Sequence, residues 1–166
     1  MVPLEVVPFR AGYESQVVDL ILEIQRNEFG MQITSDQQPD LRRIESFYQV
    51  GNGNFWIALS DSRVIGTISL LDIGSSQGAL RKMFIDQRFR GGQMGTARRL
   101  LDTLIDWCTA RAFREIFLGT TPHFLAAHRF YEKNGFEEIP KSTLPISFPI
   151  MQVDTKFYRR RLIAAA

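Results

Sequence analysis

The stretch Phe84-Ile85-Asp86-Gln87-Arg88-Phe89-Arg90-Gly91-Gly92-Gln93-Met94-Gly95-Thr96-Ala97 decides the fold. It reads as the end of a strand, a glycine-rich turn and the start of a long helix. Such a junction aims several unpaired backbone N–H groups at one spot, and the helix dipole adds partial positive charge there. The result is a natural phosphate site. Glycine lets an anion's oxygens approach the backbone and permits positive φ. Arg90 adds a guanidinium fork that can hold a phosphate through two hydrogen bonds.

Towards the N-terminus, Ala79 to Ile85 reads as a strand that follows a turn of Gly74, Ser75, Ser76 and Gly78. Asn54 to Ser60 and Arg63 to Leu71 form a hairpin through Asp61-Ser62. Apolar residues Val17, Leu20, Ile21 and Ile24 recur at helical spacing and predict a helix over Tyr13 to Phe29, stopped by Gly30. A second helix is expected from Pro39 through Ile44, Phe47 and Tyr48 to Gly51, and Leu4 to Pro8 reads as an edge strand.

Towards the C-terminus, Met94, Ala97, Leu100, Leu101, Leu104, Ile105 and Cys108 form the apolar stripe of the longest helix. Glu115 to Gly119 is a short strand. Thr121-Pro122 then opens a helix that ends at Asn134-Gly135, and Phe136 to Ile139 and Ile150 to Phe157 are the last strands. A loop marked by Pro140, Pro145 and Pro149 separates them. This order implies one α/β (α+β) domain over residues 1–166, a three-layer fold with a mixed, mostly antiparallel sheet flanked by helices on both faces.

Composition narrows the function. Twenty basic against 18 acidic side chains leave a net charge of +2, so no global field draws the chain to nucleic acid or to a membrane surface. One cysteine, Cys108, excludes an internal disulfide, and His123 and His128 have no zinc-ligand spacing, so no metal is expected. No run reaches the ~18 apolar residues of a membrane span, and the N-terminus lacks a leader pattern, which makes a cytoplasmic location the default expectation. Free sheet edges leave a homodimer as an option.

Two familiar phosphate motifs fail on the central stretch. A P-loop needs Lys-Ser or Lys-Thr after its last glycine, where Gly95 is followed by Thr96-Ala97. A dinucleotide fingerprint needs its glycines directly after the strand, whereas five residues intervene before Gly91. The pattern Ile85-Asp86-x-x-x-Arg90-Gly91 followed by Gly95 instead resembles motif A of the GNAT family of N-acetyltransferases. Ala127-His128-Arg129-Phe130-Tyr131-Glu132-Lys133-Asn134-Gly135-Phe136 resembles the same family's motif B.

That resemblance implies an acyltransferase that moves an acetyl group from acetyl-CoA, as cosubstrate, to the amine of a small molecule or peptide. The turn of Arg90, Gly91, Gly92, Gln93, Met94, Gly95 and Thr96 is then expected to hold the pyrophosphate. Met83, Phe84 and Ile85 would offer backbone groups to the pantetheine arm as if to an added strand. Tyr131 matches the tyrosine that protonates the departing thiolate, against the plainer reading of a core aromatic.

Three positions depart from the family pattern: Ala79 stands where some members carry a glutamate base, Gln93 where glycine is common, and Phe124 where asparagine is common. Glu28 and Asp36 are the substitutes weighed for the base. A non-catalytic acyl-CoA-binding protein on the same fold is the alternative. His128 and Cys108 read as structural, and Arg159-Arg160-Arg161 as a solvated terminal run.

Overall fold

The structure is a computed structural model that describes residues 3–91, 93–121 and 125–162. Seven strands form one sheet in the order β1-β2-β3-β4-β5-β7-β6. They are β1 (Leu4–Pro8), β2 (Asn54–Ser60), β3 (Arg63–Gly74), β4 (Gln77–Ile85), β5 (Glu115–Thr120), β6 (Glu137–Ile139) and β7 (Lys156–Arg161). Every neighbouring pair is antiparallel except β4 with β5.

Both central hairpins close through two residues at positive φ, Asp61 (51°) with Ser62 (63°) and Ser75 (56°) with Ser76 (58°). Two successive left-handed residues match the twist of the flanking strands, so the turns fix the registers of β2, β3 and β4. The second turn is tighter than expected: β3 runs on to Gly74 and β4 begins at Gln77.

The sheet separates two apolar layers because its side chains alternate. Trp56, Ala58, Ile68, Leu70 and Leu80 face one side and pack with Leu100, Leu101, Leu104 and Cys108 of α3 (Thr96–Ala110) and with Tyr131 of α4 (Leu125–Lys133). Phe55, Ile57, Leu59 and Val64 face the other and pack with Val17, Val18, Ile21 and Ile24 at α1 (Glu14–Glu23) and with Leu41, Ile44 and Tyr48. A fully buried leucine such as Leu104 stabilises such a layer by about 2–5 kcal/mol relative to alanine.

Several boundaries differ from the sequence reading. The helix after Gly95 starts at Thr96, so Met94 is an exposed turn residue and no part of the apolar stripe. Pro39 to Gly51 breaks into a 3-10 turn (Pro39–Arg42) and the one-turn α2 (Ile44–Phe47), because Asp40 and Tyr48 are drawn into a buried polar network. Beyond Glu23 the first helix widens into a π turn over Ile24–Glu28. The last strand spans Lys156–Arg161, and residues 150–155 form a turn. The arginine run is therefore structural: Arg159 bridges Glu115 and Glu137, and Arg160 donates to the Asn134 carbonyl.

Candidate functional site

The parallel pairing of β4 with β5 covers Gln77, Gly78 and Ala79 and ends at Ala79 opposite Phe117. From Leu80 to Ile85, β4 is paired with β3 alone, so its other edge opens into a split between the strands. A bulge marks the divergence: Lys82 has φ 54°, and the register with β3 shifts between Thr67 and Ser69. Such a bulge bends its strand and increases the local twist. Thr67 and Ser69 hold it by donating side-chain hydrogen bonds to the Lys82 and Arg81 carbonyls at 2.6 and 2.7 Å.

Backbone direction beyond the bulge follows from one hydrogen bond. The Asp86 N–H donates to the Ile65 carbonyl at 2.8 Å, so by strand alternation Phe84 turns its backbone groups to β3. Those of Met83 and Ile85 face the split. Phe84 is thus the one expected edge residue whose N–H and carbonyl are already engaged by a strand.

The turn beyond Ile85 has the geometry of an anion cradle. Gly91 and Gly95 have φ of 108° and 66°, and none of the described residues lies within 4 Å of where a Cβ would project from either. Gly95 caps α3 without a side-chain hydrogen bond, and no acidic residue occupies the first helical turn. Thr96 Oγ1 is buried at this end with no hydrogen-bond partner among the described residues. Uncapped N–H groups, the helix dipole and an orphaned hydroxyl together fit a phosphate group. Gln93 is exposed, and Gly92 lies outside the described residues.

Arg90 is committed elsewhere in this structure. Its two terminal nitrogens bind the two carboxylate oxygens of Glu28 at 2.5 and 2.8 Å, and its Nε donates to the Ile85 carbonyl at 2.8 Å. The pair ties the π turn to the end of β4, and it occupies Glu28. Asp36 is exposed, and Phe124 lies outside the described residues.

Tyr131 comes to the split from α4. Its hydroxyl reaches Met83 Sδ at 3.8 Å, and its ring is held against Phe130, Phe136 and Tyr158. Burial, and secondarily the charge of Asp154, push its pKa well above the ordinary phenol value. The hydroxyl therefore stays protonated at neutral pH. His128 is buried with Nε2 2.8 Å from the Thr121 carbonyl, and burial pushes the Cys108 thiol up to about 12, so both are structural.

Sequence reasoning missed the opposite face of β4. The bulge puts Arg81 and Lys82 on the same side of the sheet, where strict alternation would separate them. Lys82, 8% exposed, donates to Gln38 Oε1 at 2.6 Å and stands 3.7 Å from Asp40. Burial lowers its pKa, against the pull of Asp40. Asp40 also accepts from the Tyr48 hydroxyl at 2.6 Å, and Gln38 exchanges two hydrogen bonds with Gln25 on the π turn. Only the unusual pair of adjacent cations in a strand hinted at this cluster.

Asp154, in the turn before β7, was missed as well. It lies over Gly119 of β5, where Oδ2 is 2.5 Å from the position a Cβ would take. Burial pushes its carboxyl up to about 6, although Arg81 and the Met151 N–H favour the charged form.

Comparison with known proteins agrees with this architecture. The sequence profile of the acetyltransferase (GNAT) family matches residues 18–136. The crystal structure of an acetyltransferase of the GNAT family from Staphylococcus aureus Mu50 superposes with a TM-score of 0.93 at 38% identity, covering 97% of this chain and 100% of that one. A PaiA N-acetyltransferase from Thermoplasma acidophilum, solved with coenzyme A, shares the fold at a TM-score of 0.74 and 14% identity, over 96% of this chain and 99% of that one. Among curated proteins, the N-acetylaspartate synthetase of Homo sapiens is 28% identical over 144 residues. That match takes in 86% of this chain, which spans 43% of the relative's length. With the split sheet, the glycine turn ahead of α3 and a profile match that runs through both, the chain belongs to the acetyltransferase (GNAT) family.

Proposed function

We propose that this chain is an N-acetyltransferase that moves an acetyl group from acetyl-CoA to a primary amine by direct transfer. The observation that carries the reading is the free edge of β4 from Leu80 to Ile85, which leads from Tyr131 to the uncapped start of α3. Acetyl-CoA supplies an acyl thioester. Met83 and Ile85 offer backbone groups to the pantetheine amides in the manner of an added strand. Gly91, Gly92, Gln93, Met94, Gly95 and Thr96 surround the pyrophosphate with backbone N–H groups at the helix start, and Arg90 stands beside them with its charge shared with Glu28.

Tyr131 acts as the general acid. Among the described residues its hydroxyl has only the Met83 sulfur as hydrogen-bond partner, which leaves it able to donate to the sulfur that departs. A buried phenol stabilises a developing thiolate by hydrogen bonding and protonates it as the C–S bond breaks.

Titration calorimetry with acetyl-CoA, followed by a thiol-release assay across classes of amine, tests the reading. Binding together with amine-dependent thiol release is expected. Binding without release on any amine would make the chain an acyl-CoA-binding protein, and no binding at millimolar acetyl-CoA would refute the reading.

A further inference from the structure

Among the described residues, Arg81 and Asp154 are a cation and a carboxylate without an ion-pair partner, at the mouth of the split on the face away from Tyr131. The Arg81 guanidinium lies over the rings of Phe47 and Tyr48, 5.7 and 5.9 Å from their centroids. Its hydrogen bond runs to Met151 Sδ at 3.7 Å, a weak acceptor, and among the described residues no carboxylate comes within ion-pair distance of it. Neighbouring Lys82 differs, being consumed by Gln38 and Asp40.

Asp154 sits opposite. The Asp154 N–H donates to the Met151 carbonyl at 3.0 Å, and the next N–H, of Thr155, bonds the Thr120 carbonyl of β5 at 3.1 Å. The carboxylate fills the space left by Gly119, and Arg81 and Tyr131 are the charged and titratable groups whose fields it shares. Met151 thus touches both residues, its sulfur reaching Arg81 and its backbone bonding Asp154. A half-buried guanidinium and a half-buried carboxylate that leave each other unpaired are complementary to a zwitterion.

Building on the acetyltransferase reading above, we propose that the acceptor is a small amino acid, whose carboxylate binds Arg81 and whose amino group lies at Asp154, the general base. Asp154 takes one proton from the ammonium group and passes it to solvent. The nitrogen lone pair then attacks the thioester carbonyl carbon, forming the C–N bond. The C–S bond breaks, its electron pair leaves on sulfur, and Tyr131 supplies the proton that makes the free thiol. The second proton lost by nitrogen restores Tyr131 through solvent. The products are the N-acetylated amino acid, coenzyme A thiol and one released proton.

The test compares the full chain with Arg81→Gln and Asp154→Asn, measuring thiol release from acetyl-CoA with α-amino acids and with the matching amines that lack the carboxylate. Calorimetric binding of acetyl-CoA to all three proteins is measured in parallel and shows that each is folded. The wild type is expected to favour amino acids by at least about tenfold in kcat/KM, a preference that Arg81→Gln abolishes mainly through KM. Asp154→Asn is expected to lower kcat by about 10²- to 10⁴-fold with either kind of acceptor, and to remove the rise in activity as Asp154 ionises. Equal use of both acceptor kinds by the wild type, or an unchanged preference in Arg81→Gln, overturns the proposal. So does acetyl-CoA binding with transfer to no amino acid. Failure of the wild type to bind acetyl-CoA overturns the acetyltransferase reading itself, and the binding measurement tells the two failures apart.

Discussion

The carboxylate of Asp154 stands where a side chain on Gly119 would have to go. Oδ2 and Cγ lie 2.5 and 3.0 Å from the position of a Gly119 Cβ, and Phe157 Cε1 lies 3.1 Å from it. The two nearest atoms belong to a short, movable side chain, so Gly119→Ala is expected to push Asp154 aside at a cost of about 1 kcal/mol in stability. Turnover is expected to fall about as far as in Asp154→Asn. Steady-state kinetics beside thermal unfolding checks this, and wild-type turnover in Gly119→Ala would contradict it.

Asp154 also predicts a pH-dependent stability. Its folded pKa of about 6 lies above the ordinary 3.8. The folded state therefore binds this proton more tightly than the unfolded chain, and stability is lost as pH rises from about 4 through about 6. The charge of Arg81 on β4 works against the effect of burial, and the Asp154 carboxylate in turn raises the pKa of Tyr131 on α4. Asp154→Asn removes the penalty and is expected to raise Tm by about 2–4 °C at pH 8, the site's partial exposure keeping the gain near 1 kcal/mol. At pH 3.5 no gain is expected. A variant less stable than wild type at pH 8 would contradict the assignment.

Tyr131→Phe is expected to lower kcat by about 10²-fold or more, with little change in acetyl-CoA affinity. Stability should hold, because among the described residues the lost hydroxyl has only the Met83 sulfur as partner and leaves no strong group unsatisfied. Calorimetry and single-turnover kinetics separate the effects. Unchanged kcat would reduce Tyr131 to a core aromatic.

The Lys82 network is expected to be structural. Lys82→Met leaves the Asp40 charge buried without its cation and should cost about 3–5 kcal/mol in urea unfolding. Adding Asp40→Asn should restore most of that loss, since Tyr48 still has an oxygen to donate to. Equal losses in the single and double variants would contradict this account of the pair.

Much of this architecture was legible in the residues. Alternating strands and the stripe of Leu100, Leu101, Leu104 and Cys108 carry local periodicity, and the glycine turn announces itself by composition. What stayed hidden depends on contacts between distant segments. The bulge at Lys82 is not set by local periodicity, and only the two adjacent cations hint at it, yet it decides that Arg81 and Lys82 share a face. Asp154 sits in a turn where the sequence reads as strand, and only its packing on Gly119 sets it apart. Arg90 was identified by residue type, but its engagement with Glu28, 62 residues away, follows from the π turn that ends the first helix.

The most direct test is amide hydrogen exchange at Met83, Phe84 and Ile85 with and without saturating acetyl-CoA. If the cosubstrate adds itself to the free edge of β4, the Met83 and Ile85 amides should slow markedly on binding, while Phe84, already turned to β3, should change little. Binding that leaves Met83 and Ile85 exchanging as before would place acetyl-CoA elsewhere and contradict the split between β4 and β5 as the site of transfer.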